Sequence, residues 1–167
     1  MSKDKRLGFT VERIGGYLHK VIPVLDGAGK VISYAVKPVM WELRPRDLMQ
    51  IIVGASVLAV PVAFTEETWV LGERLPLANV FAFAVVSVAF ISLFVYYNFY
   101  RNAMKGHMPE YVKRVLAVYV LSLVVVGLLL TLIQKCPWGI DNVVACKRIV
   151  IVAFPASMSA AISDMLK

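Results

Sequence analysis

The sequence predicts an all-α, multi-pass membrane protein: four transmembrane helices, both termini cytoplasmic, and a small β-hairpin-like segment ahead of the first span. Three observations predict it. Hydrophobic residues make up 59% of the 167 positions and the mean hydropathy is +0.73, too apolar for a soluble domain of this length. The apolar residues gather into four long runs. Lysine and arginine bracket those runs instead of clustering with aromatics on one face, so the net charge of +7 concerns topology, and nucleic acid is not an expected partner.

In chain order, residues 1–47 hold nine of the eighteen basic residues and no run long enough to span a bilayer. The opening MSKDKR is followed by no apolar h-region or cleavage site, so the first span is expected to act as the insertion signal. The segments HKVIPVLD and VISYAVKPVMWELR flank Gly27-Ala28-Gly29 and read as a hairpin. A hairpin alone is marginal and needs something to pack on, a neighbouring subunit or the membrane face. A basic arm resting on anionic lipid is the other reading. Residues 1–47 are thus read as a cytosolic cap and 48–167 as the membrane domain.

Arg44-Pro45-Arg46-Asp47 marks the boundary, and the first span is expected over 48–71. Stopping at Phe64 would give only about 25 Å of helix against a hydrocarbon core of about 30 Å, so continuation through Glu66 and Glu67 is expected. Residues 77–100 form the second span, closed by an aromatic belt from Tyr96 to Tyr100 and by Arg101. Pro109 and Glu110 suit the first turn of a new helix, with the third span over 115–134. Residues 135–147 read as a loop. The fourth span, 149–166, is interrupted by Pro155 and carries Asp164. Fourteen basic residues fall in the termini and the middle loop and four in the other two loops, which by the positive-inside rule places both termini in the cytoplasm. Glu66, Glu67, Glu73 and Asp141 then lie toward the outside.

Pro61-Val62-Ala63-Phe64-Thr65-Glu66-Glu67-Thr68-Trp69, with Arg46-Asp47 before the span and Gly72-Glu73 and Leu75-Pro76 after it, resembles a family of prokaryotic integral membrane proteins of unknown function marked by a P-x-A-F-T-E-E-x-W motif. The ending AFPASMSAAISD is similar to that family's last helix. The resemblance covers about residues 45–167. It implies a multi-span bacterial or archaeal membrane protein and implies no activity; the expected location is the inner (plasma) membrane.

The chemistry is expected at the acidic pair, because carboxylates at the edge of hydrocarbon are costly and commonly functional. Ala55, Ala59 and Ala63 lead at every fourth position to Glu67, a spacing that lets membrane helices approach closely, so Glu67 is expected to face a packed interior or a water-filled axis. In a homo-oligomer these carboxylates would form a ring of the kind used in cation filters. At ~4 Å and an effective dielectric of ~20, each attracts a unit charge by about 4 kcal/mol and a divalent ion by about twice that. Calcium, which accepts several oxygens in flexible geometry, suits such a ring better than magnesium. Glu66 and Glu67 are therefore the candidate metal site, with Ala63, Ala59, Ser56 and Asp164 as further ion-path residues. The plain alternative is the polar end of a helix meeting water, with Trp69 an interface anchor.

Ala156, Ala160 and Asp164 repeat the small-residue line with its acid at the inner end, beyond a proline, which hints at inverted repeats as in secondary transporters. Ser56, Ser87, Ser92, Ser157 and Ser159 either line a path or bond within their own helices. Cys136 and Cys146 are too far apart in sequence for a CxxC site, and both a disulfide and a thiol pair remain open. His19 and His107 are isolated. No Ser/His/Asp set, Walker loop, GxGxxG or HExxH occurs, so no enzyme is expected and no cofactor beyond a bound cation. The expected function is a divalent-selective cation channel in a homo-oligomer. The alternatives are a cation- or proton-coupled transporter using Asp164 with the glutamates, and a non-transporting assembly protein. The expected partners are the lipid bilayer, further copies of the chain and inorganic cations.

Overall fold

The computed structural model describes residues 10–15, 17–27, 29–38, 43–101 and 107–166. The opening MSKDKR and part of the 101–114 loop lie outside them. The chain divides into two units, residues 1–42 and 43–167.

The first unit is a three-stranded antiparallel meander of β1 (Thr10–Ile14), β2 (Tyr17–Leu25) and β3 (Val31–Pro38), in the order β1-β2-β3. Gly15 and Gly29 take positive φ values of 60° and 78° at the two turns, a backbone region open to glycine at little steric cost. The expected hairpin is β2–β3, and β1 adds a third strand along β2. The alternation in β1 is too short and too polar to announce it.

The second unit is helical. It comprises α1 (Pro45–Ala63), α2 (Glu66–Arg74), α3 (Leu77–Val95) continued by a π-helical turn (Tyr96–Tyr100), α4 (Met108–Leu132) and α5 (Asn142–Met165). Four of these, α1, α3 with its π turn, α4 and α5, are long and apolar enough to cross a membrane. Proline at the first position of α1, and Pro109 in the first turn of α4, start their helices where a missing N–H costs nothing. Asp141 caps α5, its Oδ1 accepting the Val144 N–H at 3.0 Å.

Helix α4 starts at Met108, at the turn expected from Pro109 and Glu110, so Arg114 lies within the bundle. The start of the fourth helix differs from that expected. Helix α5 begins at Asn142, so Lys147 and Arg148 are helical and largely buried. Apolar density finds the hydrocarbon-facing part of a helix, whereas its caps set the ends.

Helix α5 occupies the centre and packs against α1, α2, α3 and α4. Its most apolar window is 44% buried, against 22% for α3, because its alanines and serines leave room for neighbours on several sides. The tightest approach is to α1. A Cβ on Gly54 would lie 3.0 Å from the Ala160 Cα and closer still to the Ser163 Cβ. In lipid such contacts are driven by dispersion between backbones, since apolar side chains gain nothing by leaving hydrocarbon. Ala55, Ala59 and Ala63 on α1 and Ala153, Ala156, Ala160 and Ala161 on α5 are buried accordingly.

Candidate functional site

Three charged side chains with little or no exposure meet at the end of the bundle where α1 starts and α5 finishes. Arg114 is 0% exposed, and its two terminal nitrogens part company: Nη2 donates to Asp47 Oδ2 at 2.8 Å and Nη1 to Asp164 Oδ2 at 3.0 Å. Asp47 belongs to the first turn of α1, Arg114 to the second turn of α4 and Asp164 to the last turn of α5. One cluster thus ties three helices together. The Arg114 guanidinium also lies over the Phe99 ring, 4.3 Å from its centroid, a cation–π contact favoured where water is excluded. Tyr100 is buried and packs edge-on against Tyr111, whose hydroxyl donates to the Ser92 carbonyl at 3.1 Å.

The two carboxylates are not equivalent. Asp47 Oδ2 also accepts the Arg44 backbone N–H at 3.1 Å and sits at a helix N-terminus, where the aligned peptide dipoles favour negative charge. Asp164 sits at a helix C-terminus, where the same dipoles oppose it. The set holds one positive and two negative formal charges.

Glu66 and Glu67, the acidic pair singled out from sequence, lie beyond the opposite end of α1, a helix of 19 residues and so about 28 Å long at 1.5 Å per residue. The expected continuous helix through Glu67 is broken. Pro61 weakens the last turn of α1, which stops at Ala63, and α2 starts afresh at Glu66. The freed carbonyls of the α1 end are taken by the motif itself. Thr65 Oγ1 donates to the Val62 carbonyl at 2.8 Å, and Trp69 Nε1 donates to the Ala63 carbonyl at 2.8 Å. Trp69 is therefore a helix-end clamp, with the Lys135 ammonium 3.7 Å from its ring centroid. Glu66 and Glu67 are exposed in the first turn of α2, and Glu67 does not continue the alanine line inward.

Ala59 and Ala63 are fully buried. Ser56 is half-buried and donates to the Ile52 carbonyl at 2.9 Å; Ser87 and Ser157 likewise bond within their own helices. Asp164, paired with the glutamates in the transporter reading, is brought instead to Arg114 and Asp47. Among the described residues no three His, Cys, Asp or Glu side chains are grouped so as to hold a metal ion.

A second polar cluster fastens α2 to α5. Arg148 donates to Glu73 Oε1 at 2.6 Å, to the Lys135 carbonyl at 2.6 Å and to the Trp69 carbonyl at 3.3 Å. Its side chain crosses the face of Gly72, where any Cβ would meet Arg148 Cγ. Lys147 Nζ donates to the Glu73 carbonyl at 3.1 Å.

A family model matches residues 33–166, most of the chain, from within β3 to the end of α5. The chain belongs to the family described as "Putative integral membrane protein (DUF2391)". No curated protein and no solved structure matches it. The family description names no activity, and the matched span includes Asp47, Arg114 and Asp164 as well as the Pro61–Trp69 segment.

Asp47 and Arg114 were legible in the sequence only as boundary charges. The available signal was indirect. Acids at 47 and 164 fall at the same end of the bundle as a basic residue five positions past a helix-starting proline. Cys136 and Cys146 are free thiols, the first buried and the second exposed.

Proposed function

We propose that the protein is a cation- or proton-coupled membrane transporter whose coupling group is Asp164, held against Arg114 and Asp47. One observation carries this reading: a guanidinium and two carboxylates, all almost fully buried at the cytoplasmic end expected from the basic-residue distribution. Ionisable groups inside a membrane domain are costly and characteristically mark ion or proton pathways. The chemistry available is charge exchange. A proton or a cation arriving at Asp164 neutralises the carboxylate that the α5 terminus least favours, and leaves the Arg114–Asp47 ion pair in place. Binding and release would thereby alter what holds α5 to α4, while α1 and α4 stay joined. The proline in α5, nine residues earlier, is the natural place for the last turns to move.

Proteoliposomes containing a trapped pH dye test the proposal. Imposed sodium, potassium or calcium gradients should drive proton movement in the wild-type protein and none in Asp164→Asn. Lack of cation-linked proton movement in the wild type, or identical movement in the variant, would refute it.

The exposed Glu66–Glu67 pair supports a second reading, a cation channel with an outer acidic ring in a homo-oligomer, calcium favoured. That reading predicts gradient-driven divalent flux without proton exchange, lost in the double variant Glu66→Gln/Glu67→Gln and retained in Asp164→Asn.

A further inference from the structure

The three-stranded unit has one exposed side that is apolar along β3. Cross-strand partners share a face, so Thr10, Glu12 and Ile14 on β1, His19, Val21, Pro23 and Leu25 on β2, and Val31, Tyr34 and Val36 on β3 lie on one side, its polar residues on β1 and the adjoining end of β2. The register shift between Val24 and Leu25 places Ile32 beside them, the extra residue of a β-bulge. On this side Ile32 is 67% exposed and Tyr34 64%, with Ile14, Leu25, Val31 and Val36 exposed as well. The opposite side presents Arg13, Lys20 and Ser33 around Ile22, Val24 and Ala35. A contiguous exposed apolar patch marks an interaction surface, and the described residues of this unit place nothing over it.

Charge selects what covers it. Through Pro38 the segment carries seven basic and three acidic residues. A second copy of the same sheet would bring the same positive charge, whereas an anionic lipid leaflet brings the opposite one. Six residues separate β3 from α1, a helix long and apolar enough to cross a membrane. We propose that this sheet is a membrane-surface module, with Ile32, Tyr34 and Val36 set into the headgroup boundary of an anionic leaflet. Tyrosine suits that depth, its ring apolar and its hydroxyl wet. Apolar area and basic charge add in such binding. The inference is independent of any transport activity.

The test uses the full chain in lipid nanodiscs, with both native cysteines changed to serine and one new cysteine carrying a fluorophore. Probes at Ile32→Cys and Val36→Cys should be quenched several-fold by spin-labelled anionic lipid, and a probe at Ser33→Cys should not. Quenching should fall severalfold in neutral nanodiscs, in high salt, and in the variant Lys20→Glu/Lys30→Glu. Equal quenching on both faces, or none in anionic nanodiscs, overturns the proposal. So does shielding of Ile32→Cys from aqueous iodide that persists in detergent: concentration-dependent shielding identifies a second copy as the cover, and concentration-independent shielding a contact within the chain.

Discussion

Replacing Arg114 by methionine is the sharpest test of the buried cluster. Each carboxylate lies within hydrogen-bond distance of a different nitrogen of one guanidinium. At charge separations of ~4 Å and an effective dielectric of ~20, each attraction is about 4 kcal/mol. Mutual repulsion of the carboxylates and the desolvation of all three groups take back a large part. What remains after losing the shared partner is the cost of two buried carboxylates deprived of the guanidinium, about 3–5 kcal/mol. Asp164→Asn should cost less, because it leaves a neutral Arg114–Asp47 pair whose acid is still held by the Arg44 N–H. The triple variant Asp47→Asn/Arg114→Met/Asp164→Asn should recover most of the loss, since replacing a whole buried ion set by neutral groups is often near neutral. Reversible unfolding in mixed micelles, followed by circular dichroism, reads all three. A cost below about 1 kcal/mol for Arg114→Met, or a triple variant as unstable as Arg114→Met, would refute the claim that these charges hold one another.

Further outcomes follow from other contacts. Gly54→Val drives a side chain into Ala160 and Ser163, separating α1 from α5, and should destabilise the bundle by about 1–3 kcal/mol on the same assay. Gly72→Ala meets the Arg148 side chain, and limited proteolysis within α2 should accelerate as that clamp loosens. Trp69→Phe keeps the ring over which Lys135 lies but removes the donor to the Ala63 carbonyl, with an expected loss of about 1 kcal/mol. Burial pushes the Cys136 thiol above its ordinary range, ahead of the smaller opposing effects of Thr131 and Arg148. Only the thiolate reacts, so maleimide labelling at neutral pH should mark exposed Cys146 first, and labelling of Cys136 should grow as the pH is raised.

The sequence was most informative where one residue property decides a position without reference to distant residues. Four apolar runs of spanning length determined the membrane class, since a bilayer requires about 20 apolar residues per helix. Gly27 and Gly29 between β-branched segments were enough for the β2–β3 hairpin. The same logic failed at helix ends. The alanine line pointed Glu67 inward only on the premise of an unbroken helix. Pro61, Thr65 and Trp69 end α1 instead, and the two glutamates become the favourable first turn of the next helix.

What the sequence determined by itself is therefore the kind of protein: how many spans, which residues face apolar surroundings, and a family assignment that rests on residues 33–166. Only the tertiary structure decided which charges meet. Asp47, Arg114 and Asp164 are separated by 67 and 50 positions, and no local pattern links them. A charge that looks like a boundary marker in one helix becomes a buried partner when α1, α4 and α5 close around it. Pairing across helices depends on how three axes cross, and that is set in part by small residues such as Gly54 and Ala160, which pack one to two helical turns from the charges themselves.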